Sequence, residues 1–512
     1  MLRTVRNLGR LARIAVTLAR YDALVALGGP AMPRTLRRFV VRPHEKHEAA
    51  RPGQRLAAAL TQLGPSFIKL GQALSIRADL IGETVAADLS ELQDRLPPFP
   101  AARARETVVA ELGRPLDELF LDFDDLPVAA ASIAQVHFAT TTDGTPVAVK
   151  ILRPGIETQF ARDLDLLLWL AECIERYVPR LRRLRPVEVV NTLAETVRTE
   201  MDLRLEAAAA SELAENFAGD PDFRVPRVDW QRTARRVLTL ERISGIPVDE
   251  REALIAAGHD PQDIVAKAAR AFFKQVFRDG FFHADMHPGN VFVTADGTLV
   301  AVDFGIMGRL DQRTRHYLAD MLVGFLNGDY RSVAEVHFRA GYVPATQSIG
   351  AFTQACRAIG EPILGRPLHE ISLARLLAQL FQVTEQFQME TQPQLLLLQK
   401  TMLVCEGVGR RLAPDVNMWS LARPLIEEWM AANRSVEART RNAVNEVLAR
   451  LEELPAFIAN LEKSVAMLAS GGVRLHPESI AALSQRNRRG AWIWTVLAGA
   501  AAVALAILAF DP

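Results

Sequence analysis

The sequence predicts an α+β protein with two lobes, and three observations carry that prediction. The chain has 512 residues, which exceeds one ordinary hydrophobic core. Short strand signals bounded by turn residues occur in two separate regions, and helical periodicity fills the rest. The last residues form a long uncharged run. The expected order is therefore a helical extension, a small β-rich lobe, a mostly helical lobe and an apolar C-terminal helix.

The composition narrows the class of protein. Hydrophobic residues make up 49% and charged residues 23%, which is typical of a globular chain rather than a disordered one. The 60 Lys and Arg residues balance 60 Asp and Glu residues, so no overall field favours a nucleic-acid partner. Cys173, Cys356 and Cys405 are far apart and form no CxxC pair. This favours a reducing compartment without a disulfide or metal framework.

The N-terminal segment, residues 1–25, is basic and amphipathic. Its first 20 residues contain five arginines, most of them three or four positions apart, and no acidic residue. On a helix those arginines would share one face, which suits an anionic membrane surface. Packing on the folded domain is an equal alternative, and a mitochondrial presequence is a third.

Residues 26–120 read as a helical extension with proline breaks near residues 97–100. The pattern then changes to β, where VHFAT and TPVAVKIL flank the turn signal Thr142-Asp143-Gly144. Helical periodicity returns over 157–217, and RRVLTLERISG adds one more strand that ends near Gly245. We assign 121–245 to a β-rich first lobe with inserted helices.

The second lobe, 246–425, begins with a helix over 261–280. Two short strands, NVFVT and TLVAVDF, then flank Ala295-Asp296-Gly297, a second hairpin signal. From about residue 312 the periodicity is helical to about 470, and 426–490 is expected to be a helical linker region.

The C-terminal run from Trp492 to Phe510 contains no charged residue. A helix of about 20 such residues spans a bilayer core of roughly 30 Å, so we predict a single transmembrane helix over 491–510. Three arginines, at positions 486, 488 and 489, precede it and place the folded body in the cytoplasm. A buried core helix is the alternative. The alanine and glycine content of the run would also permit a homodimer through helix packing.

The stretch His283-Ala284-Asp285-Met286-His287-Pro288-Gly289-Asn290, followed by Asp303-Phe304-Gly305, carries the chemistry. An Asp, an Asn five positions later and a DFG thirteen beyond reproduce the catalytic-loop and metal-loop spacing of protein kinases. Asp285 would face the nucleophile, while Asn290 and Asp303 would converge on Mg²⁺ through oxygen atoms. The sequence thus predicts a protein-kinase-like fold and site.

Two other interpretations of this stretch stay open. His283, Asp285 and His287 alternate, so a metal site with imidazole ligands is one of them. Mg²⁺ prefers oxygen, however, and no third histidine lies near in sequence. A purely structural polar loop is the other, but such a loop would not require Asp303 at that distance.

Lys150, in the segment Pro146-Val147-Ala148-Val149-Lys150, matches the strand lysine that contacts the α- and β-phosphates in kinases. About twenty residues upstream lies the small-residue loop Ala129-Ala130-Ala131-Ser132, where a glycine-rich loop would be expected. Alanine still lets a backbone approach phosphate, but it takes positive φ less readily than glycine. We therefore expect an ATP or ADP site with altered phosphate geometry.

These motifs together resemble the UbiB/AarF/ADCK family of atypical kinases over residues 50–420. Two further motifs support the resemblance: Lys69-Leu70-Gly71-Gln72, which fits KxGQ, and Glu200-Met201-Asp202, which fits ExD. The C-terminal anchor and the Arg/Ala-rich composition are similar to a bacterial UbiB rather than a mitochondrial relative.

The resemblance implies further roles. Lys150 would pair with Glu206, and Glu241 would lie at the hinge that holds the adenine. The KxGQ residues Lys69 and Gln72 would lie over the site of a protein substrate, with Lys69 against Glu200 of the ExD motif, which ends at Asp202.

The function implied is an ATPase or atypical kinase that supports ubiquinone biosynthesis with ATP or ADP and Mg²⁺. The expected partners are a membrane lipid or polyprenyl quinone precursor and other enzymes of quinone biosynthesis, at the bacterial inner membrane. A KxGQ helix over the substrate groove and the lack of an A-P-E segment after DFG disfavour a protein substrate. A genuine protein or small-lipid kinase and a non-catalytic scaffold are the alternatives.

Overall fold

The computed structural model describes most of the chain up to residue 430. The described residues are 10–11, 14–23, 50–75, 81–90, 92, 96–177, 186–361, 383, 386–389, 392–414, 424–426 and 428–430. They belong to one compact unit. The predicted transmembrane helix over 491–510, and the linker region beyond residue 430, lie outside them. Within the described ranges, no helix combines the length and the apolar character needed to cross a membrane.

In the described part of the helical extension, α1 Pro52–Leu63, α2 Pro65–Ser75 and α3 Glu83–Ser90 pack together. A proline begins each of the first two, since its missing N–H costs nothing at a helix start. Gly71 lies where α2 closely approaches neighbouring side chains. A Cβ there would lie 2.8 Å from a methyl carbon of Leu60.

The N-terminal segment was open to two main interpretations, and its described part packs on the domain. Residues 14–20 are helical, and Ile14 and Leu18 pack against the core that the extension shares with the first lobe. Arg10 forms an ion pair with Asp163. Residues 1–9 are not among those described.

The first lobe is built on one antiparallel sheet. Two helices lead into it, α4 Ala101–Leu112 and α5 Leu116–Leu119. Its strands are β1 Phe120–Phe123, β2 Ala129–Ala130, β3 Ala134–Thr141, β4 Pro146–Leu152 and β6 Val237–Glu241. Their order is β1-β3-β4-β6, with β2 beside β3. The predicted β3–β4 hairpin forms, and Gly144 supplies the positive φ of its turn.

The side chains of β4 alternate between the two faces of the sheet, and this sets the direction of Lys150. Val149 and Ile151 are fully buried beneath α4, in a cluster with Val108. Lys150 lies between them in sequence and therefore faces the opposite side of the sheet.

Three helices are inserted after β4: α6 Ile156–Tyr177, α7 Pro186–Glu200 and α8 Leu203–Asn216. The side chain of Asp202 accepts a hydrogen bond from the backbone N–H of Arg204 and caps α8. The next predicted strand is shorter than expected, because β6 ends at Glu241 rather than near Gly245.

The second lobe contains two small sheets. One has the order β5-β10-β9-β7, formed by Phe223–Arg224, Leu299–Ala301, Val291–Val293 and Ile246–Pro247. The other pairs β8 Phe281–His283 with β11 Met307–Arg309. The β9–β10 hairpin was predicted, whereas β5, β7, β8 and β11 were not. Each of those has only two or three residues, too few to show a periodicity.

Helices form the rest of the second lobe. They are α9 Arg251–Ala256, α10 Pro261–Phe273 with a π-helical continuation over Lys274–Asp279, α11 Gln312–Leu326, α12 Tyr330–Arg339, α13 Ile349–Gly360 and α14 Pro393–Leu412. The last of these packs against α10 and β11.

Candidate functional site

Lys150 is the centre of the site. Its Nζ donates to both carboxylate oxygens of Glu206, at 2.7 and 3.0 Å, and to Oδ1 of Asp303 at 2.8 Å. Glu206 lies in the first turn of α8, which packs against β6, and Asp303 lies just after β10. Three elements that are distant in sequence thus converge on one ammonium group.

One cation shared by two carboxylates gives the site its electrostatic character. Burial raises the pKa of Glu206 to about 7, an effect that the charge of Lys150 opposes and that of Asp303 reinforces. Burial acts in the same direction on Asp303, but the charge and hydrogen bond of Lys150 outweigh it and lower that pKa. Burial would lower the pKa of Lys150, yet the two carboxylates raise it. Lys150 therefore stays charged, and Asp303 is the better anion of the pair.

The backbone at Asp303 is unusual. Its φ is +62°, in the left-handed region that few residues other than glycine adopt. Its side chain is about half exposed, whereas that of Glu206 is buried. A strained backbone that holds an exposed carboxylate beside a buried lysine is typical of a ligand-binding position.

The loop between β8 and β9 carries Asp285 and Asn290. The side-chain amide of Asn290 donates to the backbone carbonyl of Asp285 at 3.0 Å, which ties the end of the loop to its centre. The backbone carbonyl of Asn290 accepts from the N–H of Val302 at 2.8 Å, next to Asp303. These bonds bring Asp285, Asn290 and Asp303 to one place, as their spacing predicts.

His283 has a structural role in this arrangement. Its Nε2 donates to the carbonyl of Val302 at 3.1 Å, and its Nδ1 accepts from the N–H of Asp285 at 3.2 Å. Burial lowers the pKa of the imidazole, so the ring stays neutral and carries its one N–H proton on Nε2. Both ring nitrogens are occupied, which argues against the imidazole metal site. The described part of the chain holds no cluster of three or more His, Cys, Asp or Glu side chains suited to a metal.

The alanine-rich loop is tightly held. Ala129 and Ala130 pair with β3, and the N–H of Ala131 donates to the carbonyl of Ala134 at 2.8 Å. Ser132 is fully buried, and its hydroxyl has no hydrogen-bond partner among the described residues. The loop therefore forms a turn next to β3, and the hydroxyl of Ser132 is available for a hydrogen bond to a ligand.

The KxGQ helix is α2, and it reaches the ExD motif. Nζ of Lys69 lies 2.9 Å from Oε2 of Glu200, at the end of α7, and both side chains are nearly buried. The two side chains form an ion pair. Gln72 is half-buried one turn further along α2. Asp202 is engaged by the guanidinium of Arg204 at 2.6 Å.

Glu241 ends β6, where it pairs with Val147 of β4. Its carboxylate accepts a hydrogen bond from Arg224 at 3.0 Å and lies 3.7 Å from Arg227. The side chain thus stiffens the connection between the lobes, which leaves any contact with a base to the backbone around it.

Two further residues join the site without a sequence signal. Lys400 of α14 donates to Oδ1 of Asp285 at 3.1 Å, although 115 positions separate them. Arg153, just after β4, donates twice to the carbonyl of Ala131, at 2.8 and 3.0 Å, and once to that of Pro97. Neither residue belongs to a recognisable sequence motif, and only the fold brings the two side chains close to the motif residues.

The donor set fits a nucleotide with Mg²⁺. Carboxylate and amide oxygens on Asp303 and Asn290 are the ligands that this hard cation prefers, and it usually takes few protein ligands beside phosphate and water. Lys150 supplies a fixed positive charge for phosphate oxygens. The unpaired hydroxyl of Ser132 adds a donor at the turn where phosphate would approach.

Comparison with known protein families agrees with this geometry. Residues 91–337 match the ABC1 atypical kinase-like domain, which includes Lys150, Asp285 and Asp303. Residues 356–417 match the UbiB helical domain, which includes α14.

The full chain has curated relatives of similar length. A protein of Marinobacter nauticus, described as a probable protein kinase UbiB, is 42% identical over 97% of this chain and 94% of its own. One of Xanthomonas axonopodis pv. citri with the same description is 43% identical over 89% and 84%. A Mycobacterium tuberculosis protein, solved in complex with erythromycin, is 27% identical over 70% and 91%, with a TM-score of 0.47. With relatives this similar over nearly its whole length, the chain belongs to the UbiB family of ABC1 atypical kinases.

Proposed function

We propose that this protein is a membrane-anchored ATPase or atypical kinase that binds a nucleotide with Mg²⁺ and supports ubiquinone biosynthesis. The observation that carries the proposal is the convergence of Lys150, Glu206 and Asp303 beside the loop of Asp285 and Asn290. A decayed site would not be expected to keep all five groups in hydrogen-bonding positions.

Each residue has a part in the proposed chemistry. Lys150, oriented by Glu206, binds phosphate oxygens and offsets their charge. Asn290 and Asp303 would hold Mg²⁺, which would supply positive charge to offset the negative charge that develops in transfer. Asp285 accepts the proton of an attacking hydroxyl, from water or a lipid head group, and holds it on its carboxylate.

A lipid is a better substrate class than a protein. The Lys69–Glu200 ion pair connects the extension to the end of α7. In sequence, that end immediately precedes α8, the helix that carries Glu206. This supports the view that the extension covers the groove of a protein substrate. A C-terminal anchor over 491–510 would keep the site beside the bilayer, where a polyprenyl quinone precursor is found. We expect turnover to shift the extension and expose such a lipid to other quinone-biosynthesis enzymes.

The test is turnover of γ-labelled ATP with Mg²⁺ and liposomes of anionic phospholipid, using the full chain. We expect free phosphate that rises with liposomes and disappears in Asp303→Asn, because that variant weakens the Mg²⁺ site. Glu195→Gln is the control, since Glu195 is exposed on α7 and contributes nothing to the site.

Other outcomes separate the alternatives. Label retained on protein or lipid would make the protein a kinase of that substrate. Silence of the wild type in both assays would favour a scaffold. In cells, quinone levels that stay normal after Lys69→Ala and Asp303→Asn would remove the link to quinone biosynthesis.

A further inference from the structure

The loop that carries Asp285 has no cation of its own. Residues 283–290 include neither lysine nor arginine. Lys150 is engaged between Glu206 and Asp303, and Lys69 is paired with Glu200. Phosphoryl transfer nevertheless requires positive charge around the transferred group as well as at the other phosphates. Among the described residues, a positive group from another part of the chain contacts Asp285.

That group is Lys400. Its Nζ lies 3.1 Å from Oδ1 of Asp285, and each side chain is about one third exposed. Lys400 belongs to the segment that matches the UbiB helical domain, whereas Asp285 belongs to the kinase-like domain. The two matched domains therefore meet at the residue expected to face the nucleophile.

Packing fixes the position of Lys400. On either side of it in α14, Leu398 and Thr401 are buried, and Leu398 packs with Phe273 and Phe277 of the second lobe. This holds the first half of the helix against the body of the lobe.

The second half of α14 shares a hydrophobic cluster with the two functional loops. Val408 and Leu412 share a cluster with Met286, which follows Asp285, and with Phe304, which follows Asp303. The carbonyl of Leu412 also accepts from Arg251 at 2.8 Å. A surface ion pair contributes little when both partners are mobile, but here helix and loops are one packed unit.

We propose that Lys400 is a further residue of the site, which orients the Asp285 carboxylate and faces the terminal phosphate of a bound nucleoside triphosphate. This inference rests on the proposed nucleotide site. An ammonium group in hydrogen-bonding contact with the proton acceptor fixes the orientation of that carboxylate. The same group lies where the transferred phosphoryl group must meet its acceptor, and it adds charge there. Lys400 does not face the α- and β-phosphates, which Lys150 would bind.

The experiment compares binding of two probes to the full chain by calorimetry, each with Mg²⁺: a non-hydrolysable imido analogue of ATP, and ADP. In Lys400→Met we expect affinity for the analogue to fall about tenfold relative to ADP, the usual scale for a lost charge-assisted hydrogen bond. Lys400→Gln should behave alike, and Lys400→Arg should recover most of the preference. Arg411→Met is the matched control, because Arg411 is exposed on the same helix.

Equal losses of affinity for both probes, or no loss for either, would show that the ion pair only supports the structure and would overturn the inference. In that case wild-type binding still stands, so the proposed nucleotide site survives. A wild-type chain that binds neither probe would overturn both.

Discussion

At the scale of single residues, the site is governed by an imbalance of charge. One ammonium group, on Lys150, serves two carboxylates that differ in exposure. Because the charge and hydrogen bond of Lys150 outweigh the effect of burial at Asp303 but not at Glu206, the shared cation favours ionisation of Asp303. This is the carboxylate that a bound Mg²⁺ requires as an anion.

The raised pKa of Glu206 predicts a pH dependence of stability. Its folded value of about 7 lies above its ordinary value of 4.5, so the folded state binds a proton that the unfolded state has released between these values. The contribution of Glu206 to stability is therefore complete below about pH 4.5 and is lost as pH rises towards 7. In Glu206→Gln this loss is absent.

The measurement is the midpoint of thermal unfolding of both chains from pH 5 to 8. We expect the midpoint of the wild type minus that of Glu206→Gln to fall up to about pH 7 and then level off. A difference that rises with pH would mean that Lys150 lowers the pKa of Glu206, contrary to this account. Glu195→Gln corrects for the loss of a carboxylate elsewhere.

At the scale of elements, short strands and helix starts position the site. The β8–β11 pair has three residues a strand, yet β8 leads directly into the loop of Asp285. Gly308 of β11 faces the fully buried ring of Phe282 in β8, and a Cβ at Gly308 would overlap that ring. This close approach holds the start of the loop in place.

Gly308→Ala should accordingly destabilise the second lobe. Overpacking a buried ring usually costs about 1–3 kcal/mol, because neighbouring side chains and backbone must shift. We expect a lower midpoint of thermal unfolding for Gly308→Ala. Gly407→Ala is the matched control, since a Cβ on that exposed face of α14 meets nothing within 4 Å and alanine favours helix by up to about 1 kcal/mol. Equal midpoints for the two variants would argue against the close approach.

At the scale of the whole molecule, the extension, the first lobe and α14 of the second lobe each contribute a lysine to an ion pair. Lys69, Lys150 and Lys400 come from three different parts of the chain, and each pairs with a different acidic residue. The extension and α14 therefore approach the kinase-like core from different segments. Movement of either would therefore alter the site.

We expect the uncharged run over 491–510 to attach the chain to a membrane. Deletion of residues 491–512 should release the protein from liposomes in a flotation assay, because about 20 apolar residues are lost from the bilayer. Asp303→Asn in the full chain is the control and should still float. A truncated chain that floats equally well would place the membrane contact elsewhere.

Motif spacing in the sequence was enough to predict the kinase-like fold and the meeting of Asp285, Asn290 and Asp303. Those residues are close along the chain, and a single hairpin fixes the distance between their loops, so local pattern determines their geometry. The same holds for the β3–β4 hairpin, whose turn contains Gly144. The pairing of Lys150 with Glu206, and of Lys69 with Glu200, required the family resemblance, because each partner is one of several helical glutamates.

Only the tertiary structure brought Lys400 to Asp285 and Arg153 to the alanine-rich loop. A lysine on an amphipathic helix has no local feature that distinguishes a solvated position from one beside a catalytic loop. Its partner is decided by how α14 packs in the cluster that includes Met286 and Phe304, and packing between distant segments depends on side-chain shape across the core. Periodicity and spacing describe one segment at a time, whereas this contact belongs to two.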